Sequence, residues 1–196
     1  MTPRRPFDFS ANHIVLDFIN TVNGRPVYTR DDLRGPADLV DWAAAAGVVE
    51  NPAEIIGAGL DGSSRFASAI VLRESLYRVF GPIASGDEPQ RAAVEVVGRR
   101  ATQGMRSAHW VRGSAGYEPR FALDSIEVLC DLLADRGMQL LRSAATDRLG
   151  CCAGCGWLFL DTSRGHGRRW CSMNACGVRD KMRRYHQRQT LVSNSP

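Results

Sequence analysis

Five of the six cysteines fall within residues 151–176, and no other feature of the chain restricts its fold so tightly. Cys152-x2-Cys155 is followed, after fifteen residues, by Cys171-x4-Cys176. Two close pairs separated by a short insert are how tetrahedral zinc sites are built: each pair supplies two thiolates from a tight turn. The implied cofactor is Zn2+, closed off by Cys152, Cys155, Cys171 and Cys176. Cys151 is the alternative to Cys152, since only one of two adjacent cysteines binds; the x2 spacing of a tight knuckle favours Cys152. Cys130 sits in a helical apolar pattern and reads as a small buried hydrophobe. A disulfide framework would need an oxidising compartment. The N-terminus, MTPRRPFDFS, has two arginines but no apolar h-region after them, so the expected location is cytoplasmic. A redox CxxC belongs in a βαβ setting, which the pattern here lacks.

The sequence around the cysteines predicts a small α+β, treble-clef-like finger over 149–196. GWLFLD reads as a strand, TSRGHG as a turn, and RRW as the lead into the second pair. The run after Cys176 reads as a helix from about 173 to 189, with Ser172 or Asn174 to cap it. Val178, Met182 and Tyr185 fall at i, i+4 and i+7 and are expected to form its buried stripe. A segment of this size has too little core to stand alone. Bound zinc contributes on the order of 10 kcal/mol or more to its folding.

Residues 1–148 predict a mainly helical domain with a small β-hairpin. The apolar cluster at 14–19 is followed by Asn20, Thr21, Asn23 and Gly24, which are turn and cap residues; polar roles for Asp17, Asn20 and Thr21 are therefore read as structural. Helices are expected at 36–46, at 63–82 with Gly81-Pro82 as the stop, at about 87–103, and along 124–145. Residues 107–123 read as two short strands joined by a Gly/Ser turn. Trp42 and Trp110 are expected in the core. No Gly-rich phosphate loop, HExxH or GxSxG occurs, and the four histidines form no constellation with a nucleophile, so the chain is not expected to be an enzyme. No apolar run approaches the roughly eighteen residues of a membrane span.

Charge divides the chain at the same boundary. Residues 1–149 carry a net −2, residues 150–196 a net +6. The basic residues of that second part are Arg164, Arg168, Arg169, Arg179, Lys181, Arg183, Arg184 and Arg188. Such a concentration points to a polyanionic partner.

Two stretches resemble known families. CGWLFLDTSRGHGRRWCSMNACGVRDKMRRYHQR is similar to the CGNR zinc fingers, with RRWCSM and LFLDTSR as the specific parts. IVLDFINTVN, DDLRGPADLVDWAAAAGVV and VLRESLYRVF resemble the ABATE domain that accompanies that finger. The resemblance implies a stress-related transcription regulator with a zinc-binding, DNA-binding C-terminus. It carries zinc ligation onto the four cysteines and the family's basic positions onto Arg168, Arg169, Arg179 and Lys181. One position departs: Val178 stands where the family's name-giving motif has asparagine.

On this reading the basic residues contact phosphates, with one or two arginines reaching base edges in the major groove. A second copy of the chain and a small-molecule ligand in the N-terminal domain are the other expected partners. A protein-interaction module without direct DNA binding is the alternative.

Overall fold

The computed structural model describes residues 7–25, 29–57, 63–113 and 116–193. Seven α-helices carry most of them: α1 (Ile14–Ile19), α2 (Pro36–Ala45), α3 (Pro52–Gly57), α4 (Ser63–Ala84), α5 (Arg91–Met105), α6 (Ile126–Leu141) and α7 (Val178–Ser193). Three antiparallel strand pairs complete the fold: β1 (Val22–Asn23) with β2 (Arg30–Asp31), β3 (His109–Gly113) with β4 (Gly116–Arg120), and β5 (Leu149–Cys151) with β6 (Leu158–Leu160).

Helices α4, α5 and α6 form the body, and α1 is buried against α4 and α6. Two glycines permit the close packing. A Cβ on Gly137 would lie 2.7 Å from Leu76 Cδ2, and one on Gly104 would lie 2.5 Å from Asp131 Cβ. Gly137 lowers the intrinsic helicity of α6 but lets α4 approach it. Trp42 is fully buried, its ring 5.2 Å from that of Phe18. Trp110, expected in the core, is instead 59% exposed. Its hairpin is a two-stranded ribbon whose outer face carries Trp110 and Tyr117, both exposed; the Gly/Ser turn at 114–115 lies outside the described residues.

Helix α4 runs past the expected stop at Gly81-Pro82 and ends at Ala84. Pro82 has no N–H for the Arg78 carbonyl, and that carbonyl accepts from Gln90 N–H instead, at 3.3 Å. The termination falls at Gly86, whose φ of +85° is the left-handed conformation of a helix C-terminus. Asp87 N–H returns to the Pro82 carbonyl at 3.0 Å, completing that closure.

The segment from 10 to 22 is where the two halves of the chain meet. Leu160 N–H donates to the Ala11 carbonyl at 2.9 Å, and Asn12 Nδ2 donates to the Leu160 carbonyl at 3.0 Å. Asn12 does this at φ +62°, a conformation asparagine tolerates. Asn20 grips Leu158 from both sides: its Nδ2 donates to the Leu158 carbonyl at 2.8 Å and its Oδ1 accepts from Leu158 N–H at 3.0 Å. Trp157 Nε1 donates to the Val22 carbonyl at 3.0 Å. Leu158, Phe159 and Leu160 join the same apolar core as α1, α4 and α6.

A charged network braces the other side of this segment. Arg73, 2% exposed, makes a bidentate pair with Asp31 (2.7 and 2.8 Å), reaches Thr21 Oγ1 at 3.1 Å and pairs with Glu74 at 3.0 Å. Arg25 pairs with Glu74 at 2.7 and 2.9 Å and lies 4.1 Å above the Tyr77 ring. Among the described residues, the two buried cations are each matched by carboxylates that keep partial access to solvent.

Asn20→Ala would strand two buried backbone groups of Leu158, at a cost of about 3 kcal/mol in denaturant unfolding. Asn20→Asp should be worse, because a carboxylate cannot donate to the Leu158 carbonyl. Asp17 predicts a pH effect. Burial pushes its carboxyl from 3.8 up to about 7, although Ala11 N–H, donating to Oδ1 at 3.0 Å, opposes the shift. A carboxyl whose folded pKa is raised contributes fully below its unfolded pKa and loses that contribution as pH rises. Stability should therefore fall between pH 3.8 and about 7, and Asp17→Asn should flatten that slope in urea titrations.

Candidate metal centre and basic surface

The hairpin β5–β6 is a knuckle. Cys152 N–H pairs with the Trp157 carbonyl at 2.8 Å, while Cys155 and Gly156 N–H both return to the Cys152 carbonyl at 3.3 and 2.9 Å. Gly156 takes φ +75°, and a Cβ there would lie 2.9 Å from the Arg25 carbonyl oxygen. The turn therefore requires glycine twice over, for its conformation and for its contact with the N-terminal half. Gly154 N–H points at Cys152 Sγ, 3.4 Å away.

The second pair arrives on a loop that Asp161 organises. Its Oδ1 accepts from Ser163 N–H at 2.9 Å and its Oδ2 from Arg168 N–H at 3.0 Å. Bonds from the Ser163 hydroxyl and these backbone donors hold its carboxyl down to about 2. A π-helical turn (Met173–Gly177) carries Cys176 and leads into α7. Ser172 occupies the N-cap position but makes no capping bond through its side chain.

Cys152, Cys155, Cys171 and Cys176 bring their sulfurs within 4.8 Å of one another. Cys155 and Cys171 are 3.5 Å apart, and Cys171 and Cys176 are 3.6 Å apart. Four thiolates at ~2.3 Å from a tetrahedral zinc would sit about 3.8 Å from each other, so the donor set fits Zn2+. The charge balance fits as well. A hydrogen bond to the Cys152 sulfur holds the Cys155 thiol up at about 12, and the same interaction raises Cys171. Sulfurs this close cannot all ionise without a cation between them. Cys151 faces outward on β5 and is exposed, so the x2 spacing identifies the correct member of the adjacent pair. Cys130 is buried in α6, as expected.

Arg168 does not belong to the outer basic surface. Its guanidinium donates to the carbonyls of Trp170 (3.0 Å), Leu160 (3.3 Å), Ser10 (2.7 Å) and Cys171, and it stacks 4.3 Å from the Phe159 ring centroid. These bonds occupy four of its five N–H donors and tie the second cysteine pair to the N-terminal segment. Arg164, Arg169, Arg179, Lys181, Arg183 and Arg184 are exposed. Arg179 also donates to Cys176 Sγ at 2.9 Å, placing a cation beside a zinc thiolate. Arg183 and Arg184 both pair with Asp180, the latter at 2.5 Å. The side chain of Arg188 lies outside the described residues.

The stripe expected to be buried is open. Val178, Met182 and Tyr185 are 49%, 50% and 56% exposed. Only the start of the helical segment packs inward, through Cys176, Gly177 and Asp180. The i, i+4, i+7 spacing located one apolar face correctly, but nothing among the described residues covers it.

The ABATE family model, described as "Putative stress-induced transcription regulator", matches residues 12–148. The chain belongs to the ABATE family. A second family model, the CGNR zinc finger, matches residues 148–189 of this ABATE protein and contains all four clustered cysteines. The chain binds zinc through that cluster. No curated protein matches its sequence. Val178, where the CGNR motif is broken, is the exposed first residue of α7 and takes no part in the sulfur cluster. Among the described residues, no helix is long and apolar enough to cross a membrane.

Zinc removal should separate the two halves of this ABATE protein in stability. Chelation should melt residues 149–193 first, read by loss of amide protection there before the α4–α6 body opens. Cys152→Ser should lower bound zinc well below one per chain in a colorimetric release assay, whereas Cys151→Ser should retain one.

Proposed function

We propose that this protein is a zinc-dependent DNA-binding transcription regulator, in which α7 and the loop before it contact the DNA while the N-terminal domain senses a ligand or dimerises. The observation that carries the reading is the exposure of the cations. Arg179, Lys181, Arg183 and Arg184 are exposed on one helix that begins at a zinc ligand, with Arg164 and Arg169 exposed on the preceding loop. A fixed helix of this kind can present several charges to successive phosphates, where a flexible tail would pay ordering entropy. Arginine adds bidentate contact to phosphate or guanine. The closed four-cysteine site leaves zinc no open position, so the metal serves orientation rather than hydrolysis.

A single finger buries only about 600–1,000 Å² on DNA. Sequence-specific binding on this reading uses two copies on adjacent half-sites. The zinc-loaded chain should bind duplex DNA with a slope of log K against log salt of about −4 to −5 if some five cations reach phosphates. Lys181→Ala and Arg184→Ala should each reduce that slope by about one. Absence of any affinity at low salt, with zinc bound, would count decisively against the reading.

One observation favours a different class. The open Val178, Met182, Tyr185 stripe flanked by basic residues also suits an amphipathic acidic protein segment. Binding to such a partner that is indifferent to competing DNA would make the finger a protein-interaction module.

A further inference from the structure

The N-terminal domain contains a cavity of about 330 Å³ between α1, the end of α2, β4 and α6. That is at the small end of the range for ligand sites, about 300–1,000 Å³. Its wall is mainly apolar: Ile14, Val48, Leu123 and Leu132 all line it and are only half-buried. Arg120 from the end of β4 and Arg136 from α6 share its lining with one acidic residue, Glu118.

Neither arginine is in an ion pair among the described residues. Arg136 spends one hydrogen bond on Gln139 Oε1 at 3.1 Å. Its neighbour Asp135 is turned inward, 2% exposed, and bonded by Gln139 Nε2 at 2.6 Å. The field of Arg136 is felt nearby: burial first, and then this positive charge, lower the pKa of His13 at the N-cap of α1. The cavity therefore combines an uncovered apolar wall with a net positive lining, Arg120 and Arg136 against Glu118, although Asp135 lies within electrostatic reach of Arg136.

We propose that this cavity binds a small amphipathic carboxylic acid, its apolar body against Ile14, Val48, Leu123 and Leu132 and its carboxylate met by Arg120 and Arg136. A planar guanidinium suits a carboxylate through two parallel N–H bonds, and desolvation by the apolar wall strengthens them. The volume admits a medium-chain or aryl-alkanoic acid. Ile14 opens α1, and the residues flanking that helix, Asn12 and Asn20, hold β6 of the finger. Occupancy of the cavity therefore also steadies the seam to the zinc module. None of this depends on DNA binding.

The test uses the full zinc-loaded chain with octanoate, phenylacetate and the neutral control octanol, followed by methyl NMR. Octanoate or phenylacetate at millimolar concentration should shift the methyl signals of Ile14, Val48, Leu123 and Leu132 saturably. Octanol should bind about tenfold more weakly, because it offers no charge to the arginines. Arg120→Ala, at an exposed strand end, should weaken the acids by a similar factor while leaving the zinc content unchanged. Arg136→Gln should do the same if it folds. Slower amide exchange at Leu158 and Leu160 with acid bound would support the seam effect. Failure of both acids to shift these methyls, equal binding of octanol, or indifference to Arg120→Ala would overturn the proposal.

Discussion

The grip of Asn20 on Leu158 fixes how the zinc module sits on the helical body. β6 is three residues long and among the described residues has a single strand partner, β5, so the four backbone groups of Leu158 and Leu160 find partners elsewhere. The N-terminal segment supplies them through Asn20, Ala11 and Asn12. An unpaired buried backbone group costs about 1–3 kcal/mol, so this edge cannot be left open in a buried position. The apolar residues of β6 then complete the core on the other face. What the family models divide at residue 148 is, in packing terms, one continuous interior.

Zinc and this seam do different work. The metal closes Cys152 and Cys155 against Cys171 and Cys176, which sets the first turn of α7. The seam sets where that whole unit stands. Arg168 connects the two, because one guanidinium reaches Ser10 in the N-terminal segment and Cys171 at the metal centre. A lysine could not replace it, having no planar fork to reach several carbonyls at once. Counting it among the surface cations overstates the charge the finger presents, and Asp180 further moderates Arg183 and Arg184.

The cysteine site was legible because zinc coordination is a local problem. Two knuckle-sized spacings specify four sulfurs whatever surrounds them, and even the choice of Cys152 over Cys151 followed from turn geometry. The helical body was legible for a similar reason, since Leu39, Trp42, Ala69, Leu76, Phe80, Leu129 and Leu133 recur at helical spacing and are buried. Three features were not legible, and each depends on what lies across the fold. Asn20 has the composition of a turn residue, yet its partners are 138 positions away. Arg168 belongs to a basic run by sequence, but its carbonyl contacts hold it half-buried against the N-terminal segment. The stripe on α7 has the period of a core face, but period reports only that a face is apolar. Whether it is covered depends on how far the helix extends beyond the body.

These long-range partners also give the molecule a physical route between its halves. α1 is six residues long, too short to be stable by itself, and it holds its shape through burial and through the bonds at its two ends. Its N-terminal residue, Ile14, lines the cavity; the asparagines flanking the helix hold β6; β6 carries the chain from the first zinc pair towards the second. A change in the order of α1 would bear on the metal module through these hydrogen bonds. Coupling of this kind acts on the stability of the seam, and so on how firmly α7 is held, rather than on the zinc ligands themselves.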